Sequence, residues 1–148
     1  MLQQYISAER VVFFAPNTHK QKALAQLMEV TTQSKHVVDP TKFKNDILER
    51  ENIVSTGIGL GIAVPHTYSD AITDVVITLG ISCSGIADYG SMDDKPVHFI
   101  IMVAAGRHQH REYLQLLAHI SLLARNEKLR TTLLAAQTAD EVIGALKT

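Results

Sequence analysis

Gly57-Ile58-Gly59-Leu60-Gly61-Ile62-Ala63-Val64-Pro65-His66-Thr67 sets one histidine at the end of a glycine-spaced apolar run, directly behind a proline. A neutral imidazole is a nucleophile near neutral pH, and glycines beside small side chains let backbone amides approach a bound anion. Pro65 fixes its own φ and drives Val64 to an extended conformation, so the segment reads as a strand or extended stretch that delivers His66 to a defined place. The plainer alternative is a glycine-rich loop with an incidental histidine, because glycine runs also serve turns and close packing.

On either side of this stretch, strand-like and helix-like segments alternate. Upstream, Val11-Val12-Phe13-Phe14-Ala15, closed by Pro16-Asn17, has the length and content of a buried strand. A helix follows to about Thr32, with Asn17 or Thr18 as its cap and Ala23, Leu24, Leu27 and Met28 at helical spacing. Asp39-Pro40 opens a second helix, which carries Phe43, Ile47 and Leu48 and ends in Glu49-Arg50-Glu51. Downstream, Asp74–Ile81 reads as a strand and Ile86–Pro96 as a loop built on Asp88, Gly90, Asp93 and Asp94. Val97–Ala105 is a near-continuous apolar run, the pattern of a strand covered on both faces. From Arg111 to Arg125 the apolar residues fall on one wide helical face, and two shorter helices follow over 127–136 and 139–146, the second capped by Thr138. Strands alternating with helices predict an α/β fold, with a central mixed sheet of about four to five strands flanked by helices.

At 148 residues the chain fits one domain, 1–148, with enough apolar residues for a sizeable core. A net charge of −1 gives no basic field for a nucleic-acid backbone. No apolar stretch approaches the roughly 20 residues of a bilayer span, and the N-terminus lacks a secretory signal pattern, so a soluble, cytoplasmic protein is expected. The lone Cys83 lies between Ser82 and Ser84 with no cation beside it, and reads as a small strand residue in a reducing compartment.

If His66 is a nucleophile, its product needs a positive partner, and Arg50, just before Asn52–Gly61, is the best candidate. Its guanidinium fork matches a phosphate and stays charged. The competing role is a helix-end charge paired with Asp46 one turn earlier. His98 opens an apolar strand, where packing is favoured over a place beside His66. His108 and His110 flank Gln109 in a polar segment; without a His-Glu-x-x-His helix or a cysteine cluster they read as solvated residues, and no metal site is called for. His119 reads as a boundary residue, His19 and His36 as peripheral.

Together, Glu49-Arg50-Glu51, Ser55-Thr56-Gly57-Ile58-Gly59 and Gly61-Ile62-Ala63-Val64-Pro65-His66 closely resemble the phosphorylation-site signature of the mannitol/fructose-type (type-2) enzyme IIA domain of the bacterial sugar phosphotransferase system. The resemblance extends through the Val97–Ala105 strand, the Tyr113-Leu114-Gln115-Leu116-Leu117-Ala118 helix and the Thr138–Leu146 tail. It implies a phosphoryl carrier that works without a cofactor. His66 would accept the phosphoryl group on Nε2 from the histidine-containing phosphocarrier protein and pass it to a IIB domain or subunit. Arg50 would hold the phosphate, and the backbone around Gly61 and Thr67 would surround it. Phosphoryl transfer rests mainly on positioning and charge stabilisation, which such a set supplies.

One position departs from the family pattern. Many members carry a second active-site histidine just before the Leu-Gln-type pair that starts the long C-terminal helix, and here that position is Tyr113. A tyrosine hydroxyl can donate to phosphate but brings no cation. His110, one helical turn earlier, is the other candidate auxiliary if the helix already includes it. The same site also suits a regulatory, nitrogen-type IIA paralogue, whose phosphorylation state controls binding to target proteins. A metal-dependent hydrolase built on His66, His108 and His110 is disfavoured by the missing ligand pattern. The apolar C-terminal helices leave both a monomer core and a homodimer face open.

Overall fold

The computed structural model describes residues 2–147. Its centre is β6 (Val97–Gly106), in which every residue but His98 is buried. Alternate side chains of a strand face opposite sides, which explains the unbroken apolar run. Phe99, Ile101, Val103 and Ala105 enter one core, and Ile100, Met102 and Ala104 enter another on the far side. β5 (Val76–Ile86) pairs antiparallel with β6, and β1 (Val11–Phe13) lies parallel outside β5. On the other flank, β6 is met in parallel by β3 (Ile62–Ala63) and then by β4 (His66–Ser69). β2 (Gly57–Gly59) closes that edge antiparallel to β3. The sheet is mixed as expected and has six strands, the additional members being very short.

Helices cover both faces. α1 (Lys20–Thr32) and α2 (Pro40–Ile53) bring Leu24, Leu27, Phe43 and Ile47 to the core that holds Ile100 and Met102. α3 (His110–Ala124) brings Tyr113, Leu116 and Ile120 to the opposite core, with α4 (Glu127–Ala135) and α5 (Ala139–Leu146) beside it. Thr138 caps α5 as expected, accepting from the Glu141 amide.

The cap expected at Asn17 or Thr18 is corrected. α1 starts at Lys20, Asn17 has φ 64°, and the Thr18 hydroxyl donates back to the Ala15 carbonyl. The Lys20 amide instead donates to the Asp88 carboxylate at 2.9 Å, so the cap comes from a distant loop that local sequence does not reveal. The loop that follows β5 also buries Tyr89 almost completely.

The glycine segment folds back on itself. Leu60 and Gly61 link β2 to β3 with φ of 59° and 76°, the positive pair that a tight two-residue hairpin requires. Leu60 is held in this region by its amide, which donates to the Asp93 carboxylate at 3.0 Å. Gly57 is needed for a different reason. A Cβ there would lie 2.3 Å from the Gly90 carbonyl oxygen, so only glycine lets β2 lie against the 90–91 backbone.

Gly57→Ala is therefore expected to destabilise the fold by about 2 kcal/mol or more, because backbone must shift to admit the methyl. Urea unfolding checks this through a lower midpoint with an unchanged slope.

Candidate functional site

β3 and β4 lie on the same register along β6, with Ile62 opposite Phe99 and His66 opposite Val103. Gly61 and Pro65 turn their carbonyls to β6, accepting from Phe99 and Val103 at 2.9 and 3.0 Å. By the alternation of a parallel ladder, Val64 then turns its N–H and carbonyl away from β6. The Val64 N–H donates to the Thr56 carbonyl at 3.1 Å. Its carbonyl lies 2.6 Å from Nδ1 of His66. Because a carbonyl only accepts, Nδ1 carries the proton and Nε2 keeps its lone pair.

Residues opposite one another in a parallel pair share a face, so His66 and Tyr68 stand on the side of Val103 and Ala105, beneath α3. Tyr113 comes down from α3 to meet them. Its ring centroid is 5.8 Å from His66 and 5.2 Å from Tyr68. Thr67 pairs with Ala104, so its side chain belongs to the opposite face and only its backbone adjoins His66. Gly61 serves the hairpin turn through its positive φ of 76°.

Arg50 reaches the site from the last turn of α2. Its guanidinium donates to the Val54 carbonyl at 3.0 Å. Asp46 is not its partner; that carboxylate pairs with Lys42 at 3.2 Å. The remaining guanidinium donors leave Arg50 able to take an anion. Burial lowers the His66 pKa, and the Arg50 charge lowers it further, against the Val64 hydrogen bond and the Glu51 charge, which raise it. The net fall keeps the imidazole neutral at physiological pH. Burial, against the opposing charge of Arg50, pushes the Tyr113 hydroxyl up to about 12, so it stays protonated as a donor.

His110 is the first residue of α3, as a one-turn substitution requires, but it is exposed and packs edge-on against Tyr68 at 5.2 Å. Tyr113, rather than His110, meets the His66 ring. Arg107 lies over the Tyr68 ring, 5.7 Å from its centroid. The sequence offered no periodic signal for Tyr68 or Arg107, since both depend on the short β4 strand. His98 packs, with Nδ1 2.8 Å from the Ser82 carbonyl. His108 is exposed, and among the described residues no group of three or more histidine, cysteine or acidic side chains could hold a metal ion. Cys83 is an exposed residue of β5. Among the described residues no helix is long and apolar enough to cross a membrane.

The family model "Phosphoenolpyruvate-dependent sugar phosphotransferase system, EIIA 2" matches residues 4–148. The chain is 34% identical to the PTS system fructose-specific EIIABC component of Bacillus subtilis over 84% of its own length, and spans 19% of that protein. It is 31% identical to the PTS system fructose-specific EIIA component of Haloferax volcanii, covering 86% of this chain and 82% of the relative. In structure it is similar to the nitrogen regulatory protein IIA-Ntr of Neisseria meningitidis, with a TM-score of 0.87 at 18% identity over 98% of both chains. It is likewise similar to enzyme IIA in the mannitol enzyme IIA complex with phosphorylated enzyme IIB from Escherichia coli, with a TM-score of 0.80 at 21% identity over 96% of both chains. At these identities the structural likeness shows the fold.

In an NMR titration, His66 is expected to protonate below the 6.5 of an unperturbed imidazole, and Arg50→Ala to move that midpoint upward. The depressed value makes neutral His66 a contribution to stability that is present above the unfolded pKa and lost as pH falls through the folded one.

Proposed function

This chain belongs to the EIIA type-2 family of the phosphoenolpyruvate-dependent sugar phosphotransferase system, and we propose that it carries a phosphoryl group on Nε2 of His66. The observation that carries this reading is the 2.6 Å contact of Nδ1 with the Val64 carbonyl, which leaves the far nitrogen as the nucleophile. The donor is the histidine-containing phosphocarrier protein. Nε2 attacks phosphorus as the donor's P–N bond breaks, and the donor imidazole departs with the bonding electron pair. Positive charge grows on the His66 ring as the new N–P bond forms, and the Nδ1–H bond to Val64 stabilises it. Arg50 and the Tyr113 hydroxyl donate to the phosphoryl oxygens, where charge accumulates. Onward transfer reverses the geometry: a nucleophile of a IIB component, usually a cysteine thiolate, forms its bond to phosphorus and the Nε2–P bond breaks.

Both partners have to reach the same nitrogen. The elements that deliver Arg50 and His66 carry exposed apolar side chains suited to such contacts: Ile53 and Val54 at the end of α2, and Leu60 at the hairpin. Met92, 82% exposed, is tied to this edge by its amide, which donates to the Gly57 carbonyl. The mannitol enzyme IIA of similar fold is seen with phosphorylated enzyme IIB, which supports a IIB component as the acceptor here.

Incubation with phosphoenolpyruvate, enzyme I and the phosphocarrier is expected to give acid-labile, base-stable phosphate on the wild type and none on His66→Ala; label surviving in the variant would refute the assignment. Arg50→Ala should slow transfer on the order of 100-fold or more. Tyr113→Phe should slow it about tenfold, the value of one hydrogen bond to a charged oxygen, and His110→Ala should leave it unchanged. Transfer onward to a fructose-type IIB component supports sugar uptake. Failure with every IIB, together with phosphorylation-dependent binding to another enzyme, supports the regulatory alternative.

A further inference from the structure

Glu51 follows Arg50 in sequence yet does the opposite of it in space. Its side chain is 4% exposed at the C-terminal end of α2, where the helix dipole disfavours an acid. Its partner Lys20, with Nζ at 2.9 Å, opens α1, where the dipole disfavours a base. A buried carboxylate is costly unless it is paired and hydrogen-bonded, and this one is held on every side. It accepts from the Thr56 amide at 3.1 Å and from the Thr56 hydroxyl at 2.8 Å. That hydroxyl, its proton directed at Glu51, accepts from the Tyr89 hydroxyl at 2.9 Å. The Lys20 ammonium also lies 4.4 Å from the centre of the Tyr89 ring. Hydrogen bonds from Lys20 and Thr56 outweigh the burial that would raise the Glu51 pKa, so the carboxylate stays ionised.

The two charges are unfavourable where they stand, so the network's structural effect lies in what it fixes. It fixes Thr56, whose carbonyl receives the Val64 N–H, and Val64 in turn receives Nδ1 of His66. We infer that Glu51 is a positioning residue for His66: through Thr56 and Val64 it sets the imidazole tautomer and the aim of Nε2 without touching the ring. This rests on His66 being the phosphoryl carrier. Adjacent residues at one helix end thus divide two tasks, Arg50 facing the phosphate and Glu51 bracing the nucleophile from behind.

The test pairs phosphoryl-acceptance rates with 15N NMR of histidine-labelled protein. Wild-type His66 should show a protonated Nδ1 and a pyridine-like Nε2. In Glu51→Gln the Nε2 resonance should move toward the pyrrole-like range, as the second tautomer becomes populated, and the rate should fall about 10- to 100-fold from misplacement of the nucleophile. Glu51→Asp, which keeps the charge, should recover part of both. A folded Glu51→Gln with unchanged tautomer and rate overturns the inference. Should Glu51→Gln not fold, Thr56→Val removes the same hydroxyl bond with its backbone amide intact; the same tautomer change supports the brace, and an unchanged spectrum and rate overturn it. Failure of the wild type to accept phosphate at His66 would strike the carrier reading alone, since the tautomer shift reads the brace without any phosphoryl transfer.

Discussion

The site depends on which way the backbone of Val64 faces. A residue in a parallel ladder points its N–H and carbonyl to the same side, and Gly61 and Pro65, turned to β6, leave Val64 turned outward. Pro65 then has no N–H to give the ladder, so β3 stops and β4 restarts at His66 on the same register. A longer continuous β2 partner would have claimed the Val64 carbonyl. Instead the chain bends to α2 at Thr56, and the carbonyl meets the imidazole. The chemistry of His66 is therefore fixed by sheet geometry before any charged group acts on it.

Three layers surround this contact. Behind it, Glu51, Lys20, Thr56 and Tyr89 hold the backbone that positions Val64. Beside it, Tyr113, itself packed on Tyr68, stands against the ring, and burial lowers the imidazole pKa. Toward solvent, Arg50 brings a permanent positive charge. Arg50 and Glu51 act on His66 in opposite senses: the former favours the neutral imidazole, the latter the cationic one.

Much of this was legible in the residues because it is local. The β6 run, the apolar face of α3, the Asp39-Pro40 helix start and the extended delivery of His66 each follow from periodicity or from the stereochemistry of one residue. What was not legible depends on contacts between distant segments. The α1 cap comes from Asp88, Thr56 meets Tyr89 across 33 positions, and Tyr89 lies in a segment whose aspartates and glycine read as loop. The hairpin was hidden because Leu60 adopts a positive φ that its sequence does not favour and that Asp93 secures from outside. For the auxiliary position the residues left Tyr113 and His110 both open. Only geometry shows that Tyr113, and not the exposed His110, stands against His66.

The most direct measurement is the site of the phosphorus–nitrogen bond. Phosphorylated protein labelled with 15N-histidine should show one-bond 15N–31P coupling at Nε2 of His66, with Nδ1 still protonated and bonded to the Val64 carbonyl. Coupling at Nδ1, or at any histidine other than His66, would contradict the account.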